Sequence, residues 1–196
     1  VDAHAHASAA QDLFVERFGR RGYDGVDGAL AVVAHPAGLP ATEGSPEDAR
    51  FRAGAYWDGR RMILGDRTAS LGTVVHEFAH AVLGTSARFA GTGDSAALEE
   101  AFADIMAEAA AVDAGSTRAA STGVSRVYGL AVAVAGAERR VDVERALYRA
   151  FVYLMPSSAT FESARAATRQ SARDLFGDRS AVELALERAW TAVGAR

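Results

Sequence analysis

The spacing of apolar residues changes character near Asp66 of the 196-residue chain. From Asp2 to Phe18, Ala9, Leu13, Phe14 and Phe18 recur at the spacing of one helical face, and Gly19 and Gly22 mark its end. Ala29 to Ala34 reads as a buried strand, and the Gly-, Pro- and Ser-containing stretch 38–46 as a loop. Ala55-Tyr56-Trp57, the pair Asp58-Gly59 and then Arg60 to Leu64 predict a hairpin around an Asp-Gly turn. Beyond Asp66 every segment is helical in pattern. The first helix is predicted over 69–83, with Gly84 behind it. The second is capped by Asp94 or Ser95 and runs to about Asp113, and others follow near 122–137, 141–154, 161–176 and 180–193. Pro156 and Gly177 punctuate the later ones. No internal repeat is visible. The order predicts an α+β fold, with a small β-containing N-terminal part (1–84) followed by a helical C-terminal part (85–196).

Composition narrows the function classes. With 49% apolar and 23% charged residues the chain has ordinary globular composition, and a net charge of −4 with scattered basic residues points away from a nucleic-acid partner. Cysteine is absent, which excludes disulfides, thiolate metal ligands and a cysteine nucleophile. The longest weakly polar stretch, Val127 to Ala137, is too short to span a bilayer, so no membrane partner is expected. The chain starts at Val1 with no leader pattern, as a processed chain would.

The candidate chemistry lies in His76-Glu77-Phe78-Ala79-His80. Residues four apart share a helical face, so both imidazoles can address one ion. Two neutral imidazoles suit zinc and leave room for a third ligand and a water. Glu77, next to the first histidine, is placed to act as general base on that water. A five-residue pattern alone also fits an amphipathic helix with half-buried histidines. The next predicted helix, however, carries Leu98-Glu99-Glu100-Ala101-Phe102-Ala103-Asp104. Folded back as a hairpin, it brings a carboxylate to the histidines. Glu100 and Asp104 share a face, as a ligand and a carboxylate orienting a ligand should, whereas Glu99 is expected to point elsewhere into solvent.

These residues resemble the thermolysin-like neutral zinc metallopeptidases (gluzincins), a family with a His₂Glu zinc site. The likeness extends along nearly the whole chain and is collinear. It includes Val1-Asp2-Ala3-His4, Ala55-Tyr56-Trp57-Asp58-Gly59, Met62 to Asp66, Arg145 to Phe151, Leu154-Met155-Pro156, Arg165-Ala166-Ala167, Asp174 to Gly177 and Ala192-Val193-Gly194. The resemblance implies a thermolysin-like α+β fold with a central zinc-binding helix. It implies one zinc ion held by His76, His80 and Glu100, Glu77 as base, and Asp104 hydrogen-bonded to a ligand histidine, His76. Ala55 and Trp57 then lie on an edge strand that receives an extended peptide or protein substrate by β-addition. The activity implied is metalloendopeptidase, and the location implied is outside the cell.

The chain also departs from the family. Gly54 stands where the family has a substrate-gripping asparagine, and an ungapped match puts Gly91 at its oxyanion-binding tyrosine. Ala119 stands where its catalytic histidine belongs, and no histidine follows His80. The segment between Asp113 and Thr122 is too short to carry the family's calcium ligands and substrate-binding arginine, for which Arg118 is the one candidate substitute. Calcium is therefore not expected. The family's first N-terminal strands have no counterpart, so a longer parent chain is expected. Losing an oxyanion donor lowers kcat by roughly 10²–10³. Two readings follow: a zinc metallopeptidase of reduced activity, or a zinc-containing relative that binds peptides or a partner protein without cleaving them.

Overall fold

The computed structural model describes residues 2–35, 54–116 and 123–194. The predicted loop 38–46 and the Arg118–Ala119 segment lie outside these residues. Helix α1 (Asp2–Phe18) turns Ala7, Ala10 and Phe14 inward. It ends where Gly19 takes φ +68° and Gly19 N donates to Val15 O, a left-handed closure that glycine accommodates without strain.

Three short strands follow: β1 (Ala31–Ala34), β2 (Ala55–Trp57) and β3 (Arg61–Leu64). The predicted hairpin pairs Ala55 with Leu64 and Trp57 with Met62, antiparallel. β3 also pairs in parallel with β1, so it is central and the order is β1-β3-β2. All three residues Met62, Ile63 and Leu64 are buried, as a central strand requires. β2 is an edge.

Helix α2 (Leu71–Thr85) is capped by Ser70, whose side chain accepts from Thr73 N. It runs through Gly84 rather than ending before it. α3 (Gly93–Asp113) starts after Thr92, not at Asp94 or Ser95; Ser95 folds back to donate to the Thr92 carbonyl. The C-terminal helices are α4 (Arg126–Ala135), α5 (Arg140–Arg149, continued by a π-helical turn, Ala150–Leu154), α6 (Phe161–Phe176) and α7 (Ala181–Val193).

One apolar core joins these elements. Phe14 meets Phe78 of α2 edge-on at 4.9 Å, Phe18 stacks on Tyr148 of α5 at 4.1 Å, and Phe102 of α3 stacks on Phe151 at 5.2 Å. Beside it lies a buried ion network. Glu144, wholly buried, accepts from Tyr128 (2.7 Å), Arg140 (2.6 Å) and Arg17, while Arg17 and Arg140 also reach Asp113 (2.5 and 2.6 Å). The network ties α1 to α3, α4 and α5.

Candidate metal centre

The inner face of α2 carries Val74, Val75, Phe78 and Val82 into the core, which fixes the helix's rotation. That rotation leaves His76 and His80 on the adjoining flank, half-buried, toward α3. The core anchors Leu98, Phe102, Ile105 and Met106 set the rotation of α3 in turn. Glu100 then meets both histidines.

His76 Nε2 and His80 Nε2 are 3.2 Å apart, and Glu100 oxygens lie 3.5 Å and 3.6 Å from them. A tetrahedral ion with bonds of about 2.0–2.1 Å has donor–donor edges of about 3.4 Å. Glu100 faces His76 with Oε2 and His80 with Oε1, and one donor atom from each of the three residues lies within 4.8 Å of the others, close enough for all three to address one ion. Among the described residues this is the one group of three or more His, Asp or Glu donors that converges so closely.

The outer nitrogens face carboxylates. Asp104 Oδ1 lies 3.3 Å from His76 Nδ1, an ion-pair distance without the alignment of a hydrogen bond. Glu99 does not point into solvent as the sequence suggested. Its Oε1 lies 3.3 Å from His80 Nδ1, and its side chain is 29% exposed. A helix wheel separates Glu99 from Glu100 by about 100°. His80 sits on that flank of α3, and a glutamate is long enough to close the gap. Burial draws the His80 imidazole toward the neutral form, but the Glu99 bond and the Glu100 and Glu77 charges outweigh it and hold its pKa above the ordinary value.

Glu77 is 7% exposed. Burial raises its pKa above the usual carboxylate range and Glu100 adds to this, against the opposing pull of His80 and the Trp57 backbone N–H. A desolvated carboxylate is a stronger proton acceptor than a solvated one.

The β2 edge borders this group. Gly54 O accepts from Gly65 N, and Asp58 N donates to Arg61 O. Backbone groups alternate along a strand, so those of Ala55 and Trp57 turn to the open edge, and the Trp57 N–H faces Glu77. The Trp57 ring packs away from the edge, against Tyr23 at 5.3 Å. Ala55, Trp57, His76, Glu77, His80 and Glu100 line one cleft of about 490 Å³, and Gly91 lines it too. Gly91 has φ +67° with open space where a Cβ would stand, so a side chain there would have room but a strained backbone.

The chain matches the family models described as thermolysin metallopeptidase, catalytic domain (residues 1–84) and thermolysin metallopeptidase, alpha-helical domain (residues 124–195). It is 28% identical over 243 residues to bacillolysin of Bacillus amyloliquefaciens, covering 99% of this chain and 44% of that protein. It is 27% identical over 241 residues to the extracellular elastase of Staphylococcus epidermidis, covering 99% of this chain and 46% of that protein. The precursor of protealysin, a metalloproteinase from Serratia proteamaculans, superposes with a TM-score of 0.79 at 16% identity, over 100% of this chain and 78% of that one. The fold is thus α+β and thermolysin-like, and the chain belongs to the thermolysin-like metallopeptidase family. It spans less than half the length of these curated relatives.

Proposed function

We propose that this chain carries the catalytic apparatus of a zinc-dependent endopeptidase, with His76, His80 and Glu100 as metal ligands and Glu77 as general base. The observation that carries the reading is the convergence of His76, His80 and Glu100, one donor atom from each within 4.8 Å of the others, beside a buried carboxylate. Bound zinc supplies a Lewis acid that polarises a carbonyl and makes water acidic enough to be deprotonated near neutral pH. The chain's own groups do the rest. Glu77 takes the proton from the attacking water and returns it to the departing amine. Asp104 holds His76. The outward N–H and C=O of Ala55 bind an extended peptide as an added strand, which lays its backbone across the cleft. In this reading residues 1–84 and 85–196 form two lobes, and both contribute metal ligands.

Secretion is part of the proposal, supported by a relative named as extracellular. Among the described residues no helix is long and apolar enough to cross a membrane. Calcium has no part in it.

A second reading, a zinc-containing peptide- or protein-binding relative, has one observation in its favour. Apart from His76 and His80, no histidine or arginine lines the cleft among the described residues, so no such side chain there is in place to hold the oxyanion. Digestion of a broad peptide library by zinc-loaded protein, with and without chelator, separates the two. Cleavage lost on chelation and restored by zinc supports the endopeptidase; peptide binding without cleavage supports the second reading.

A further inference from the structure

Glu99 precedes a proposed metal ligand in sequence and has no place in the mechanism above. Its geometry is nonetheless specific. Its Oε1 lies 3.3 Å from His80 Nδ1, in a contact where the histidine side chain is only 14% exposed. An ionised carboxylate can only accept, so the Nδ1 of His80 carries the hydrogen, and in the neutral ring, the form that ligates a metal, Nε2 then keeps its lone pair. That lone pair is the one turned to His76 Nε2 and Glu100. Asp104 lies at the same distance, 3.3 Å, from His76 Nδ1, as an ion-pair contact.

We propose that Glu99 is a positioning residue for the metal centre. It fixes the tautomer and ring orientation of His80, so that each ligand histidine is backed by its own carboxylate. The inference rests on the zinc reading of His76, His80 and Glu100. The neighbourhood supports a role for the charge as well as for the hydrogen bond. Glu99 adds a second anion behind the imidazoles and makes His80 a stronger donor. Removing it frees the ring to rotate and to adopt the tautomer with hydrogen on Nε2, which cannot ligate.

The test is zinc affinity, read by competition with a chromophoric chelator, for wild type, Glu99→Ala and Glu99→Gln, alongside melting curves of the metal-free proteins. Glu99→Ala is expected to weaken zinc binding about 10–100-fold. Glu99→Gln, which keeps a hydrogen-bond acceptor but not the charge, should fall between the two. The metal-free melting temperatures should stay together while the rise on adding zinc shrinks in the variants, a pattern that a merely structural role would not produce. Wild-type zinc affinity in Glu99→Ala would overturn the assignment of Glu99 and leave the zinc reading standing. A wild type that binds no zinc, or a His76→Ala/His80→Ala variant that keeps it, would overturn both.

Discussion

Replacing Glu144 with glutamine removes the carboxylate on which three donors converge. Glu144 has no exposed surface; Arg17 and Arg140 have side chains 14% and 20% exposed. Breaking a buried ion pair from one side costs about 3–5 kcal/mol, because the remaining charge is left uncompensated. Here Asp113 still touches both guanidiniums, and the small exposure of each lets water assist, which places the loss at the lower end, about 3 kcal/mol. For a chain of this length each kcal/mol shifts Tm by about 2–4 °C, so Tm should fall by roughly 6–12 °C. Tyr128→Phe removes one hydrogen bond to the same carboxylate and should cost less, about 1.5–3 kcal/mol. Urea unfolding followed by circular dichroism measures both. The network joins α1 to the C-terminal helices, so the reasoning also requires the Glu144→Gln and Arg17→Met effects to be non-additive. A Glu144→Gln variant within 1 kcal/mol of wild type, or two strictly additive substitutions, would refute it.

Other consequences are as specific. Trp190 Nε1 donates to Thr168 Oγ1 at 2.8 Å, both buried, so Thr168→Val should lower unfolding free energy by about 1–3 kcal/mol in urea titration. Burial opposes ionisation of Glu183, yet the Arg179 backbone N–H and the Arg173 and Arg169 guanidiniums hold its carboxyl below the ordinary 4.5. A folded pKa below the unfolded one gives stability that is present above the unfolded value and lost as pH falls through the folded one. Glu183→Gln should therefore lower Tm near neutral pH and lose less Tm than wild type on acidification below about pH 4.5. Millimolar calcium should leave the thermal melt where magnesium leaves it; a strong upward shift specific to calcium would contradict the calcium-free reading.

Much of this was legible in the sequence because it is local. The apolar spacing of α1, α6 and α7 is a property of single helices, and His76, His80, Glu100 and Asp104 are related by turns of two helices. What was not legible depends on long-range packing. Gly84 reads as a stop in the sequence, but the hydroxyls of Thr85 and Ser86 bond back to Ala81 and Val82 carbonyls and extend α2 past it. The parallel pairing of β1 with β3 joins residues far apart in sequence, Ala31 with Arg61 and Ala34 with Leu64. The Arg17–Glu144 pair spans 127 residues. Glu99 escaped because a helix wheel gives direction around an axis, not the crossing of a second helix that brings His80 to meet it.

In the proposed mechanism His76, His80 and Glu100 hold zinc and Glu77 moves the proton. It is tested most directly by peptide hydrolysis of zinc-loaded wild type against zinc-loaded Glu77→Gln, with metal content measured on the same samples. Glutamine keeps the shape and hydrogen bonding of Glu77 but cannot take the proton. The account predicts about one zinc per chain in both proteins, measurable turnover in wild type and none in the variant. Full turnover in Glu77→Gln with zinc in place would contradict it.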